Sequence, residues 1–304
     1  MPTRPSSGHR PLIGVSTKMY FTHARTNTFI TAVLSHHLLL TSDILASIDA
    51  FIIPDFVSLT SAIAAISAIS SISSTITSHS HSHSNTTTIT TTNNTLLVGA
   101  QDCSPSTHDF GPYTGEVSPA VLKEIGCRIV EVGHAERRRL FGETDDVVRD
   151  KVAAAVRNGL WPLICVGEEQ RHIGELGSGK KGAVEVAAAE VLRQVAAALR
   201  GVEDENAEVI LAYEPVWAIG APEPASAEHV RGVVRRVRES EVVRGRKGRT
   251  RIVYGGAAGP GLWEKLEGEV DGLFLGRFAH EPEQFVKLIH EVAGLSVDRS
   301  TVKG

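Results

Sequence analysis

The chain has 304 residues, room for one large α/β domain or two ordinary ones. With 31 basic against 35 acidic residues the net charge is −4, so neither nucleic acid nor an anionic membrane surface is favoured as a partner, and no apolar run approaches the roughly 20 residues of a membrane span. Three cysteines, Cys103, Cys127 and Cys165, without a CxxC pair argue against a disulfide framework and for a reducing, cytoplasmic setting.

Residues 1–10 are polar and Pro-rich, without the apolar core of a signal peptide, and read as a flexible start. Pro11–Val15 predicts a first strand, which runs into Ser16-Thr17-Lys18. Helical spacing of Phe29, Ile30, Val33, Leu34 and Leu38 predicts a helix reaching about Leu40. Phe51–Pro54 is a second strand, and Ser58–Ile69 a second helix. From Ser70 to Thr95 the composition turns almost wholly to Ser, Thr, His and Asn, too polar to offset its ordering entropy, and predicts a disordered insertion. Its run of His79, His81 and His83 lacks the further ligands a metal site needs, so no metal is expected there.

Leu96–Gln101 is the third strand, followed by a Gly/Pro-rich loop over 102–117. Ser118-Pro119 signals a helix start, with serine as cap and proline at the first helical position. Arg128–Val132 is a strand running into Gly133-His134-Ala135-Glu136. A helix over Asp145–Asn158 stops at Gly159. Trp161–Cys165 is a strand, and the Ala-rich stretch Ala183–Arg200 a helix. Between them, Gly174–Lys181 nearly matches a phosphate-binding loop but lacks the final Ser/Thr and does not directly follow a strand, so it reads as a solvated loop.

Val209–Tyr213 has the composition of a strand buried on both faces. It delivers Glu214, and Pro215 ends it by removing a donor. The apolar segment Val216–Ile219 follows, closed by Gly220: an acid at a rigid strand end under a hydrophobic loop suggests a base with a lid. Ala227–Val243 predicts a basic helix, and the cluster Arg244–Arg249 its solvated end. Arg251–Tyr254 leads to Gly255-Gly256-Ala257, a short helix spans Leu262–Leu266, and Asp271–Leu275 leads to Gly276-Arg277. A last helix spans Pro282–Val292, and residues 296–304 form a tail.

Eight strand-then-helix units predict a closed (β/α)₈ barrel, with residues 11–295 as one domain. A doubly wound open sheet is the competitor, but would place a glycine-rich fingerprint after its first strand, where this chain has Lys18. In a barrel the strand exits converge on one mouth, gathering Lys18, Gln101, His134, Glu168, Glu214, Gly255-Gly256 and Gly276-Arg277. A carboxylate, an imidazole, an ammonium and two glycine-rich turns suit a small phosphorylated substrate.

Several of these motifs, in order, resemble the triosephosphate isomerase family: Gly99-Ala-Gln101, Gly133-His-Ala-Glu-Arg-Arg138, Ile164-Cys-Val-Gly-Glu168, Ala212-Tyr-Glu-Pro-Val-Trp-Ala-Ile-Gly220, Tyr254-Gly-Gly256 and Asp271-Gly-Leu-Phe-Leu-Gly276. The resemblance covers about Leu12–Ala293 apart from the insertion. It implies an isomerase of glycolysis and gluconeogenesis that needs no cofactor and interconverts dihydroxyacetone phosphate and glyceraldehyde 3-phosphate. By the same resemblance Glu214 is the proton-transferring base, His134 a neutral electrophile, Lys18 the cation near the developing enediolate, and Glu136 the carboxylate beside Lys18. Ser16 takes the place of a substrate-contacting amide. Gly220, Ala257, Gly276 and Arg277 present backbone N–H groups to the phosphate. Pro215, Val216 and Trp217 form the lid hinge, continuing through Ala218 and Ile219 to Gly220, and the loop 102–117 corresponds to a homodimer contact.

The departures cluster around the substrate. Asn-Trp-Lys is here Ser16-Thr17-Lys18, and the serine after the histidine is Ala135. The lid tip Gly-Thr-Gly-Lys-Thr-Ala is Gly220-Ala-Pro-Glu-Pro-Ala225, and the serine of Tyr-Gly-Gly-Ser is Ala257. Pro222 has lost an N–H and Ala257 the hydroxyl it would meet, so neither group is left unsatisfied. Arg277 replaces a glycine; of an inward guanidinium on the phosphate and an outward side chain, the outward one is expected, because the site is small. Similar departures mark the branch of the family acting on four-carbon erythrulose and erythrose phosphates, which stands as the alternative substrate class. A catalytically silent sugar-phosphate-binding barrel is the alternative of another kind.

Overall fold

In a computed structural model, described over residues 10–35, 44, 47–76, 96–171 and 182–294, eight parallel strands close in sequence order. They are β1 (Leu12–Ser16), β2 (Asp49–Ile53), β3 (Leu97–Ala100), β4 (Ile129–Val132), β5 (Trp161–Val166), β6 (Val209–Tyr213), β7 (Thr250–Tyr254) and β8 (Gly272–Leu275). β8 pairs back onto β1, Leu12 opposite Gly272, which removes both sheet edges and excludes the open doubly wound sheet.

The strands carry apolar side chains on both faces because both are buried. One set, including Leu12, Phe51, Ile53, Ile129, Leu163, Ile210, Val253 and Phe274, fills the barrel. The alternate set, including Ile13, Val15, Val130, Val132 and Leu211, packs outward on the helices. The helix Ala227–Glu239 shows the matching pattern: Val230, Val233, Val234 and Val237 form its buried face, each contributing about 1.5–3 kcal/mol by leaving water. At the N-terminal end of the barrel, inward Arg251 meets Asp49 at 2.7 Å and Glu208 at 2.6 Å.

The predicted cap at Ser118 forms, its hydroxyl accepting from Ala120 N–H at 3.2 Å. Gly159 closes the helix Asp145–Arg157 at φ 66°, where a side chain would be strained. Two boundaries differ from expectation. The helix after β2 spans Leu59–Ile76, so residues 70–76, assigned to the insertion, are helical; Ile69, Ile72 and Ile76 continue its helical spacing. The helix after β6 breaks at Ser240, whose backbone is extended and whose hydroxyl donates to Val237 C=O, and restarts as Glu241–Arg244. The first helix is described over His23–Ser35, and its expected continuation lies outside the described residues. So do residues 1–9, the histidines 79, 81 and 83, the loop 172–181 and the tail from 295. Among the described residues no helix is long and apolar enough to cross a membrane.

Candidate active site

The C-terminal ends of the strands open into a cavity of ≈ 1500 Å³, lined by Ser16, Lys18, His134, Glu136, Glu214, Gly220, Ala257, Gly276 and Arg277 among others. The expected catalytic and phosphate-binding residues therefore reach one place, while Gln101, Glu168 and Gly255, also expected at the mouth, stand behind its lining. Lys18 sits just past β1 at φ 48°, a left-handed conformation that costs free energy in a non-glycine residue. Gln101 holds that turn by donating from Nε2 to Lys18 C=O at 2.9 Å. The ammonium then donates to Glu136 Oε1 at 2.9 Å. Burial pulls the Lys18 pKa down, but bonding and charge from Glu136 outweigh it, so the amine stays charged.

His134 caps the short helix Ala135–Phe141: the Glu136 N–H donates to His134 Nδ1 at 3.1 Å. With Nδ1 engaged as an acceptor, the ring hydrogen belongs on Nε2, which faces Lys18 Nζ at 3.3 Å and Glu214 Oε2 at 3.4 Å. Burial pulls the His134 pKa down, while Glu214 and then Glu131 draw it above its ordinary value. The two influences oppose one another: the carboxylates favour imidazolium, and the N–H aimed at Nδ1 favours the neutral ring.

Glu214 leaves β6 with its N–H on Val166 C=O at 2.8 Å, and the residue is 6 % exposed. Two glycines make room for it. A Cβ on Gly255 would lie 2.3 Å from Glu214 Cγ, and one on Gly167 1.9 Å from Glu214 C=O. Cys165 Sγ lies 3.9 Å from Oε1. The carboxylate is thus fixed over the cavity floor, with one oxygen toward His134.

Across the cavity, Gly220, Ala257, Gly276 and Arg277 form the opposite rim. Among the described residues their N–H groups donate to no other backbone carbonyl, which leaves them open to an anion. Arg277 is exposed, yet its guanidinium lies over the Tyr20 ring at 5.9 Å and against Gly220. It spans the cavity mouth toward the lid instead of turning away from the site, correcting the outward expectation.

The lid begins as a single 3₁₀ turn, Val216–Ala218, after Pro215. Trp217 donates its indole N–H to Glu168 Oε1 at 2.9 Å; Tyr213 Oη lies 3.1 Å from Oε2 and His229 Nε2 2.9 Å from Oε1. Fully buried Glu168 therefore anchors the hinge and does not line the cavity, contrary to its expected place among the converging exits. Beyond Gly220, at φ 71°, the tip rejoins the body where Ala225 N–H donates to Tyr254 Oη at 3.1 Å.

One residue at this end escaped sequence reading. Glu131 stands two positions after Ile129 on β4, on the inward face, and is 3 % exposed. It accepts the Ser16 hydroxyl at 3.1 Å. Desolvation raises its pKa to about 7, against the lowering influence of His134, Lys18 and the Ser16 bond. The available signal was an acid within an otherwise apolar buried strand.

The family model described as Triosephosphate isomerase matches residues 72–292. The chain belongs to the triosephosphate isomerase family. It is 38 % identical over 295 residues to an L-erythrulose-1-phosphate isomerase of Pectobacterium atrosepticum, covering 95 % of this chain and 98 % of that protein. A Rhizobium etli protein of the same name is 43 % identical over 216 residues, 69 % of this chain and 76 % of that one. A triosephosphate isomerase of Thermoanaerobacter pseudethanolicus is 38 % identical over 201 residues, 64 % of this chain and 77 % of that one. As a divergent member of the triosephosphate isomerase family, the chain is an enzyme of the aldose–ketose isomerase type.

Proposed function

We propose that this triosephosphate isomerase homologue shifts the carbonyl of a small phosphorylated ketose by proton transfer through an enediolate, and that its preferred substrate has four carbons. The observation that carries the chemistry is the convergence of Glu214 Oε2 and Lys18 Nζ on His134 Nε2, at 3.4 and 3.3 Å, in a cavity rimmed by open backbone N–H groups.

Phosphate seated on the N–H groups of Gly220, Ala257, Gly276 and Arg277 places the carbonyl end toward the floor. Glu214 removes the proton from the hydroxyl-bearing carbon beside the carbonyl and returns it to the former carbonyl carbon, while the hydroxyl proton passes by way of His134 Nε2 to the former carbonyl oxygen: one C–H and one O–H bond break and one of each forms. His134, as the neutral ring with hydrogen on Nε2, polarises the oxygen, and Lys18 offsets the enediolate charge. Closure of the lid from Pro215–Gly220 excludes water during that step. On dihydroxyacetone phosphate the product is an aldehyde. On erythrulose 1-phosphate the attacked carbon already bears a further carbon, so the product is a second ketose.

The four-carbon preference is supported by similarity over 98 % of the length of an erythrulose-1-phosphate isomerase and by Ser16, a side chain shorter than an amide, on the cavity lining. The competing reading is a triose enzyme. Measuring kcat/KM on L-erythrulose 1-phosphate and on dihydroxyacetone phosphate decides between them: the first should exceed the second, and the reverse order refutes the preference. A silent barrel is refuted by turnover of either.

We also propose a homodimer through the loop 102–117, supported by Phe110 at 72 % and Tyr113 at 41 % exposure beside a shallow hollow. Light scattering should return twice the chain mass, and Phe110→Asp should halve it; a monomeric parent chain contradicts this.

A further inference from the structure

Arg277 opens the 3₁₀ turn Arg277–His280 after β8, at a rim where the phosphate seat otherwise consists of backbone N–H groups. Its Nη2 stands 3.4 Å from where a Cβ on Gly220 would be, so the side chain reaches from the β8 turn across to the lid. The Tyr20 ring lies 5.9 Å from the guanidinium, within the roughly 6 Å reach of a cation–π contact. That ring rests in turn on His280 at 5.6 Å, and His280 Nε2 meets Ser16 C=O at 3.0 Å. The turn that carries Arg277 thus also supports the ring that orients it. Among the described residues the guanidinium has no ion pair and no hydrogen bond, which leaves the donors of its planar fork unused.

The charges around the cavity are sorted. The lining carboxylates Glu136, Glu143, Glu169 and Glu214 all come from the β4–β6 side. From residue 256 onward the lining carries Lys265 and Arg277 and no acid. A dianion is therefore drawn to the β7–β8 side, where the open N–H groups stand. Gly220 is the lid's member of that seat, so a guanidinium against Gly220 lies beside the anion as well as the lid. The lid tip lacks other ties. Pro222 has no N–H and Ala257 no hydroxyl, and among the described residues the tip bonds back to the barrel only at Ala225 N–H to Tyr254 Oη, 3.1 Å.

We propose that the Arg277 guanidinium is a side-chain ligand of the substrate phosphate, and that, packed between the phosphate and Gly220, it holds the lid tip closed. Its fork suits two phosphate oxygens at once. An anion that bonds the guanidinium in the closed arrangement shifts the lid toward closure by its differential affinity for that state. The inference rests on the phosphate seat proposed above and holds for a three- or a four-carbon substrate alike.

The test compares the full-length protein with Arg277→Met and Arg277→Lys, both of which keep the backbone N–H at 277. Arg277 is exposed, so neither substitution threatens the fold. Inorganic phosphate is the probe, titrated by calorimetry at low ionic strength, and amide deuterium exchange across residues 219–221 is followed with and without saturating phosphate. Arg277→Met should raise the phosphate Kd about tenfold or more, as loss of a charged hydrogen-bond donor does, and raise KM for the ketose phosphate by a similar factor. Arg277→Lys, a point charge without the fork, should recover part of that affinity. Phosphate should slow exchange across the lid in the parent chain and do so far less in Arg277→Met. An unaltered phosphate Kd in Arg277→Met would overturn the clamp and leave the side chain as a cover for the Tyr20 ring. Full protection of the lid by phosphate in that variant would overturn it too. A parent chain that binds no phosphate defeats the phosphate seat itself, an outcome distinct from a parent chain and variants that bind it equally.

Discussion

The two ends of the barrel both bury charge, and they do it differently. At the N-terminal end Arg251, 1 % exposed, is matched by carboxylates of Asp49 and Glu208 at 2.7 and 2.6 Å and by the Trp161 ring at 4.9 Å. At the C-terminal end three carboxylates, Glu131, Glu136 and Glu214, surround one ammonium and one imidazole. Opposite charges meet at the first end and hold the strands in place. At the second they are left in excess, with a strained lysine and an acid whose pKa is displaced to about 7. Burial alone does not mark a functional group in this fold; an unbalanced set of charges facing a cavity does.

The sharpest way to break that comparison is to remove the base. Glu214→Gln should lower kcat by about 10³-fold or more while leaving the melting temperature nearly unchanged, as steady-state kinetics and thermal melts will show. Loss of folding instead of activity would place Glu214 with the structural end. Arg251→Met is the converse. It takes the buried partner from Asp49 and Glu208 and leaves them Arg10 at 3.1 Å and Arg249 at 3.8 Å, so denaturant titration should show a loss of about 3 kcal/mol, with kcat per folded molecule retained.

Acidity gives a third, smaller contrast. Folding raises the Glu131 pKa from 4.5 to about 7, so between those values the folded chain holds a proton that the unfolded chain has released. Its contribution to stability is therefore greatest below pH 4.5, falls as pH rises, and levels off above about 7, a loss of the order of 3 kcal/mol. Denaturant titrations from pH 5 to 8 should show this slope, and Glu131→Gln should flatten it. Smallest is the hinge: Trp217→Phe deletes the bond to Glu168 and should change kcat by about tenfold or less with little effect on melting.

Most of the architecture could be read from the sequence because the strands are buried on both faces and punctuated at their exits. Lys18, His134 and Glu214 stood at those exits, and barrel closure brings them together. Glu131 was not legible: alternation along one strand says which way it points, but only closure sets it against Ser16, three strands and 115 residues back along the chain. Glu168 was misplaced for a related reason, since a strand exit fixes position and the hinge aromatics decide direction. The helix continuing to Ile76 was hidden by its Ser/Thr content, which masks isoleucines at helical spacing.

The central claim, a carbonyl shift on a four-carbon ketose phosphate with Glu214 as base, is tested most directly by following L-erythrulose 1-phosphate in D₂O by NMR. The account predicts a new ketose whose carbonyl has moved one carbon away from the phosphate, with solvent deuterium entering at the former carbonyl carbon, and neither change with Glu214→Gln. Unaltered erythrulose 1-phosphate beside rapid conversion of dihydroxyacetone phosphate, or deuterium entering equally with Glu214→Gln, would contradict it.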